Sequence, residues 1–217
     1  MTTDAAASVN RDAVLTWIRR FGAEIEEHRA ELVRLDTAIG DGDHGTNMDR
    51  GMRKALANLE TLEGDDIGGA LKSVGMALVS SVGGAAGPLY GTLFLQMGAA
   101  TTGADSLDVA GLADALEAGV KGVQARGKAE PGDKTMVDAL QPAVAALREA
   151  AEGDTSLSEA VGRAVAAAEE GMKSTIPMEA RKGRASYLGP RSVGHQDPGA
   201  TSSYLLLRSA GEVFTSS

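Results

Sequence analysis

Cysteine is absent from this 217-residue chain, and aromatic residues make up only 3% of it. Without cysteine the chain can form no disulfide framework, no thiolate metal site and no cysteine nucleophile. Basic residues are in the minority, since 21 lysines and arginines accompany 30 aspartates and glutamates, and the net charge is −9. An acidic chain binds nucleic acid poorly, so we expect no nucleic-acid partner.

Long apolar runs and a secretory leader are missing as well. The longest apolar stretch, GPLYGTLFLQMGAA at 87–100, is interrupted by glycine and is too short to cross a bilayer. The first ten residues have neither the basic nor the apolar segment of a signal peptide. These features predict a cytoplasmic protein with no membrane partner, and its 43% of hydrophobic residues are enough for a sizeable core.

Apolar residues recur at helical spacing along nearly the whole chain, whereas the alternation typical of strands is weak. The pattern predicts eight helical segments. The first opens at an Asn10 cap and continues through Leu32, the fifth opens at Asp108, and the sixth begins near Lys134. The sequence therefore predicts an all-α protein.

Glycine and polar residues are concentrated in four loops, at 40–47, 81–91, 127–135 and 182–199. The last loop is long and has no helical pattern, and long ordered loops are often functional. These loops come after the first, third, fifth and seventh predicted helices, so antiparallel helices would bring all four to one end. No linker divides the chain, and we predict a single domain over residues 1–217.

The first of these loops is strongly acidic. Asp36, Asp41 and Asp43 fall within eight positions and repel one another unless a cation lies among them. Carboxylate oxygens suit Mg²⁺, which keeps room for water and phosphate oxygens. An Asp-Gly pair can instead be a turn former or a helix cap. Three carboxylates beside a glycine-rich loop favour a metal site.

Other metal chemistries fit the sequence less well. An EF-hand that starts at Asp41 requires an oxygen ligand, a glycine and a glutamate where Gly45, Thr46 and Met52 stand. Zinc is disfavoured because the chain has only three histidines and no HExxH helix. His44 could be a metal ligand, an acid-base group or a phosphate contact, and its place beside the acidic loop favours the phosphate contact.

The remaining loops suit phosphate groups. The stretch SSVGGAAGP precedes a helix, where backbone N–H groups form a natural phosphate cradle, although its glycines could simply permit close helix packing. GVQARGKA at 122–129 is not a P-loop, because Ala129 replaces the required hydroxyl residue. The stretch 180–202 carries four basic residues that can clamp phosphates, Arg181, Lys182, Arg184 and Arg191. The residues alone therefore indicate a Mg²⁺-nucleotide site.

Four motifs in order resemble the nucleotide-binding L subunit of bacterial dihydroxyacetone kinase: GDGDHGTNM, SSVGGAAGPLYGT, RGKAEPGDKTM and RKGRASYLGPRSVGHQDPGATS. The resemblance runs nearly end to end. It implies an eight-helix antiparallel barrel with the nucleotide at one end. It also implies that the chain is active together with a separate K subunit, which holds the ketose covalently on a histidine.

The resemblance implies roles for individual residues around the phosphates. Asp36, Asp41 and Asp43 would hold two Mg²⁺ ions between carboxylates and phosphates. Four consecutive residues would contact the nucleotide phosphates, namely His44, Gly45, Thr46 and Asn47. Ala85 and Ala86 would cradle phosphate through the backbone. Ala86 stands where the family often has serine, so no hydroxyl hydrogen bond is expected from it.

The resemblance also implies a base pocket and a closing segment. Gly127 and Met136 would line the adenine pocket, where a methionine can pack on a purine face. Arg184 would also be catalytic, because it could neutralise charge that builds up during transfer. The residues that close the site would be Arg184, Asp197, Pro198 and Gly199.

The phosphoryl donor differs between branches of this family. In one branch ADP stays bound as a coenzyme and is rephosphorylated by a phosphoenolpyruvate-driven phosphocarrier, the M subunit; in the other, ATP is the direct donor. A free-standing L chain favours the phosphocarrier branch. The alternatives are an ATP-dependent kinase of dihydroxyacetone or erythrulose, an acyl-kinase domain, and a nucleotide-bound regulatory partner of a transcription factor. A homodimer is kept as a further alternative for the assembly of this chain.

Overall fold

The computed structural model describes residues 8–62, 66–153 and 155–215. Within these ranges the chain forms nine α-helices: α1 (Arg11–Glu27), α2 (Arg29–Ile39), α3 (His44–Leu59), α4 (Ile67–Ser81), α5 (Ala86–Ala100), α6 (Val109–Gly127), α7 (Met136–Glu152), α8 (Leu157–Ser174) and α9 (Pro198–Phe214). A 3₁₀ helix spans Arg184–Ser192. The prediction of an all-α protein is confirmed, and the predicted domain limits, residues 1 and 217, lie outside the described residues.

A small β-ribbon was not predicted from the sequence. Strands β1 (Val9–Asn10) and β2 (Ser106–Leu107) pair antiparallel, with Val9 opposite Leu107. Each strand has two residues, which is too short for any alternation to be visible in the sequence.

Side-chain caps begin two helices where the sequence predicts them. Asn10 accepts a hydrogen bond from the backbone N–H of Ala13 at 2.9 Å, and Asp108 accepts one from Gly111 at 2.8 Å. The sixth predicted helix, α7, begins at Met136 after a Thr135 capping box.

The first predicted helix is divided into two. α1 ends at Glu27 and α2 begins at Arg29, because the backbone of His28 leaves helical geometry, with φ −93° and ψ 8°. Ile25 and Leu32, on either side of the break, are both fully buried. The apolar stripe continues through the interruption, which is why the sequence pattern does not reveal it.

The helices close into a barrel. Each helix from α3 to α9 packs against the next, and α9 packs back against α1. The few aromatic residues meet inside, where Trp17 lies 6.2 Å from Phe94 and 5.7 Å from Phe214 between ring centroids. The indole N–H of Trp17 donates to the carbonyl of Leu206 at 2.9 Å, so this buried polar group is satisfied.

The direction of the helices decides which of their ends meet. The C-terminal ends of α2, α4 and α6 lie at the same end of the barrel as the N-terminal ends of α3, α5, α7 and α9. None of the helices in the described ranges combines the length and apolar character that a membrane span requires.

Candidate functional site

One end of the barrel opens into a cleft of about 970 Å³, within the size range of small-molecule sites. The cleft is lined by residues from all four glycine-rich loops, which confirms that they meet at one end. The predicted site residues that line it are Asp36, Asp41, Asp43, His44, Ala85, Ala86, Gly127, Met136, Arg184, Asp197, Pro198 and Gly199.

Three further predicted phosphate contacts, Gly45, Thr46 and Asn47, lie in the first turn of α3, which begins at His44, and are not among the residues that line the cleft. Gly45 is buried against α2, where a Cβ would collide with the carbonyl oxygen of Arg29. Thr46 is exposed, and the side-chain carbonyl of Asn47 accepts a hydrogen bond from Arg50 at 2.7 Å.

The acidic loop forms a compact cluster. Asp36, Asp41 and Asp43 each offer a carboxylate oxygen, and these oxygens all lie within 4.8 Å of one another. Asp36 is buried, and its Oδ2 accepts the backbone N–H groups of Asp43 at 2.8 Å and His44 at 3.1 Å. Gly40 leaves room for Asp36, because a Cβ at that position would collide with the Asp36 Oδ1. Asp36 therefore orients the entry of α3 and also contributes to the cluster.

The cluster fits a hard divalent cation, because it supplies only oxygen ligands at mutual distances that one ion can bridge. A basic side chain already approaches it, since the Arg184 guanidinium lies 2.9 Å from the Asp41 Oδ2. Arg184 is exposed and Asp41 is partly so. An ion pair of this kind contributes little stability, and it brings the basic 3₁₀ segment to the acidic loop.

The loop between α4 and α5 lies directly beside the acidic cluster. Gly84 has φ 66°, and a Cβ there would lie 3.9 Å from the Asp43 Oδ1. α5 begins after Ala85 without any side-chain cap, so its first backbone N–H groups stay available at the cleft. A helix entry of this kind binds anions through these N–H groups and the positive end of the helix dipole.

Apolar residues line the cleft around Gly127 and Met136. Gly127 lies against Leu89, since a Cβ on the glycine would come within 3.2 Å of the Leu89 Cδ2. Met136 is buried, and Gly199 at the start of α9 lies against it. The cleft thus joins an acidic end to a less polar end that suits a flat aromatic ring.

Residues 38–212 match the family described as the DAK2 domain. The chain belongs to this family. The predicted family resemblance is therefore confirmed.

Curated relatives include subunits and larger kinases. The chain is 47% identical over 201 residues to the "PEP-dependent dihydroxyacetone kinase, ADP-binding subunit DhaL" of Escherichia coli (strain K12), covering 93% of this chain and 96% of that protein. It is 41% identical over 202 residues to the "PTS-dependent dihydroxyacetone kinase, ADP-binding subunit DhaL" of Lactococcus lactis subsp. lactis (strain IL1403), covering 93% and 97%. It is also 36% identical over 204 residues to the "L-erythrulose 1-kinase" of Mycolicibacterium smegmatis, covering 93% of this chain but only 35% of that protein.

Solved structures share the fold. The native dihydroxyacetone kinase of C. freundii matches with a TM-score of 0.72 and 23% identity, over 98% of this chain and 37% of that one. The same kinase in complex with AMP-PNP and Mg²⁺ matches with a TM-score of 0.71 and 24% identity, over 98% and 36%. At this level of identity the likeness establishes the barrel fold.

A buried polar network that the sequence did not suggest lies behind His44 in this DAK2 domain. The His44 Nε2 lies 2.9 Å from the Ser202 Oγ, which lies 2.6 Å from the Tyr90 hydroxyl. Burial lowers the pKa of His44, whereas Asp36 and Asp43 oppose that change. Burial also raises the pKa of Tyr90. The contact with Ser202 therefore holds the His44 ring in one orientation beside the acidic cluster.

Lys134 is a second residue whose role the sequence did not suggest, and it lies at the base of the closing segment. Lys134 is buried, and Asp197 caps α9 by accepting the N–H of Ala200 at 2.7 Å. Burial raises the pKa of Asp197 to about 7, although its hydrogen bond to Ala200 opposes the change; Asp138 adds to the increase and Lys134 opposes it. In the sequence the lysine only marked the start of a helix, because nothing in GDKT shows that its side chain points inward.

Proposed function

We propose that this DAK2 domain is the nucleotide-binding subunit of a dihydroxyacetone kinase. The cleft binds ADP or ATP with Mg²⁺, and a phosphoryl group passes from the nucleotide to a ketose held by a separate K-type subunit in the cytoplasm. The observation that carries the proposal is the acidic cluster, the uncapped α5 entry and the apolar residues around Gly127 and Met136 in one cleft. The E. coli and L. lactis relatives, whose names describe ADP-binding subunits, support the nucleotide.

The acidic cluster is the proposed metal site. Asp36, Asp41 and Asp43 would hold Mg²⁺, and we propose two ions because three carboxylates and the nucleotide phosphates together offer enough oxygen ligands. When bound, Mg²⁺ neutralises charge on phosphate oxygens. The backbone hydrogen bonds to Asp36 hold its carboxylate in one orientation before any ion arrives.

The chain's other residues bind and orient the nucleotide. The first N–H groups of α5, after Ala85, would donate to phosphate oxygens. Met136 and Gly127 would pack on the base, and the segment from Asp197 to Gly199 would close over it. Phosphoryl transfer depends on positioning and charge neutralisation more than on covalent chemistry from the protein. The proposed catalytic role of Arg184 is therefore neutralisation, and this chain need not supply a general base.

The donor is proposed from the relatives. Relatives named as PEP-dependent and PTS-dependent subunits favour ADP retained as a coenzyme and recharged by an M-type phosphocarrier. The erythrulose kinase relative supports a second candidate, an ATP-dependent ketose kinase. Mixing the purified chain with a K subunit and either excess ATP or the phosphorylated carrier separates the two by the number of turnovers. An ATP-dependent kinase would make many equivalents of ketose phosphate from ATP, whereas a chain that retains ADP would make no more than about one equivalent from ATP and many from the carrier.

The test of the site itself is the coupling of metal and nucleotide. We expect Asp43→Ala to weaken ADP binding about a hundredfold in Mg²⁺, because the phosphates lose a shared ion. Calorimetry with and without a chelator measures this, and without Mg²⁺ the variant and the unmodified chain should bind equally weakly. Asp12→Ala is the control, since Asp12 is an exposed carboxylate in the first turn of α1. Unchanged ADP affinity in Asp43→Ala would show that the cluster is not the metal site.

A further inference from the structure

Lys134 is an internal cation. Its side chain is among the largest that are fully buried in the described residues. The ammonium donates to four backbone carbonyl oxygens, those of Thr175 at 2.8 Å, Met178 at 3.1 Å, Ser192 at 2.8 Å and His195 at 2.5 Å. Thr175 and Met178 precede the 3₁₀ helix, Ser192 is its last residue, and His195 follows it. The lysine therefore binds both ends of the segment 175–195.

A buried charge is costly unless hydrogen bonds satisfy it. Within the described ranges no carboxylate lies within ion-pair distance of Lys134, so main-chain oxygens surround the ammonium much as they surround a bound metal ion. Burial lowers the pKa of Lys134, and Asp197 opposes the change. Four acceptors for three N–H groups leave the ammonium fully hydrogen-bonded.

The backbone at Lys134 gives a second, independent indication. Its φ is 63°, in the left-handed region that side chains other than glycine seldom adopt. Lys128 is the other non-glycine residue with positive φ in the described ranges, at 50°, and its side chain is exposed. Glycine would be more favourable at both positions if neither side chain contributed. The two lysines thus form a matched pair that differs in burial.

Arg184 lies within the segment 175–195, whose two ends Lys134 binds. The base of the segment is closed by a hydrogen bond from the N–H of Gly194 to the carbonyl of Ile176 at 2.8 Å. Arg184 itself is exposed and is held by its ion pair with Asp41. Because little packs around its guanidinium, the path of the backbone decides where Arg184 lies over the cleft.

We propose that Lys134 is a positioning residue, whose ammonium draws together the two ends of segment 175–195 and so sets the place of Arg184 over the cleft. The inference rests on the proposed nucleotide site. Lys134 acts through Arg184, and its ammonium is occupied by carbonyl groups rather than by nucleotide.

A double-mutant cycle separates positioning from a merely structural role. We expect Lys134→Met to weaken Mg²⁺-ADP binding about tenfold, and to weaken it less than about twofold when Arg184→Ala is already present. Calorimetry on the two single variants and the double variant measures this. Equal losses in both backgrounds would overturn the proposal. If Lys134→Met does not fold, Lys134→Arg can replace it, because it keeps a cation with altered reach. Lys134→Arg should again weaken Mg²⁺-ADP binding more when Arg184 is present than when Arg184→Ala is present, although by a smaller factor.

Hydrogen exchange of the free chain decides the role of Lys134 without any nucleotide. Lys134→Gly should speed exchange of the Gly194 and Asp197 amides at least about tenfold, although it relieves the backbone, while α4 and α5 stay as protected as before. Lys128→Gly is the matched control and should leave these amides unchanged. Unchanged protection in Lys134→Gly would overturn the proposal. A nucleotide site that fails its own test while these amides respond would instead show that the proposed function alone is wrong.

Discussion

Helices α4 and α5 are held in place by means opposite to those that hold the segment 175–195 and the Asp197 cap that follows it. Each helix has 15 residues, and of the two only α4 contains a charged residue, Lys72. Their backbones approach at glycines, since a Cβ on Gly75 would lie 2.8 Å from the carbonyl oxygen of Gly91. The segment instead depends on polar contacts to Lys134 and on hydrogen bonds such as that from the N–H of Asp197 to the Thr175 hydroxyl at 3.0 Å.

The difference separates a closely packed scaffold from a segment that a few polar contacts hold in place. Close apolar packing is spread over many atoms, so no single contact decides it, and the helix pair forms a rigid wall for the α5 entry. A polar anchor is concentrated in a few hydrogen bonds, which can be opened locally while the rest of the fold stays intact. The residues proposed to close over a nucleotide lie in the segment held by polar contacts or directly after it.

The largest effect on stability is expected from the packed pair. Gly75→Ala would place a Cβ within 2.7 Å of the Leu95 Cγ and 2.8 Å of the Gly91 carbonyl, so the helices must separate. We expect a loss of about 2–3 kcal/mol in the free energy of unfolding. Urea denaturation of the nucleotide-free chain measures it.

Gly162→Ala is the control for this change. Gly162 lies in the exposed face of α8, and nothing in the described residues lies within 4 Å of a Cβ there. The same substitution should therefore raise the free energy of unfolding by up to about 1 kcal/mol, because alanine favours the helix. A similar loss at both positions would mean that the close approach of α4 and α5 does not limit stability.

A smaller effect on the free energy of unfolding is expected from the charge of Asp197, which follows the segment held by polar contacts. Burial raises its pKa from 3.8 to about 7, with Asp138 and Lys134 as the charged groups that act on it. A folded-state pKa above the unfolded value means that the folded chain binds the proton more tightly. The stabilisation from this proton is complete below about pH 4 and is lost as the pH rises through 7.

Asp197→Asn keeps a good helix cap and removes the ionisation. Relative to the unmodified chain, its free energy of unfolding should therefore increase by about 2 kcal/mol between pH 5 and pH 8. Denaturation of both proteins in chelator at the two pH values measures the difference. A difference that does not change with pH would show that Asp197 does not titrate in this range.

Periodicity and clustered chemistry are visible in the sequence itself. The helices and the convergence of the four loops could be predicted because apolar spacing and glycine positions encode them locally. The acidic cluster could be predicted because Asp36, Asp41 and Asp43 are close in the chain. The break at His28 could not, since the apolar stripe continues from Ile25 across it.

The features that could not be predicted depend on contacts far apart in sequence. Ser202 lies 158 residues from His44, and the most distant of the four carbonyls around Lys134 lies 61 residues away. No local pattern distinguishes a lysine that points inward from one that points to solvent. The segment after α8 was predicted to lack regular structure, but it contains the 3₁₀ helix Arg184–Ser192, whose turns are too short to produce an apolar period.

The smallest effect on stability, and the sharpest test of the comparison, is expected from Arg184. Its guanidinium is exposed, so Arg184→Ala should change the free energy of unfolding of the nucleotide-free chain by less than about 1 kcal/mol. If Arg184 neutralises charge that builds up in transfer, the same change should slow phosphoryl transfer about a hundredfold and weaken ADP binding less. Single-turnover transfer to a ketose on a K subunit, beside calorimetry with ADP, measures both. Equal losses would make Arg184 a simple binding residue, and no loss in either would make it a solvated arginine on the polar segment.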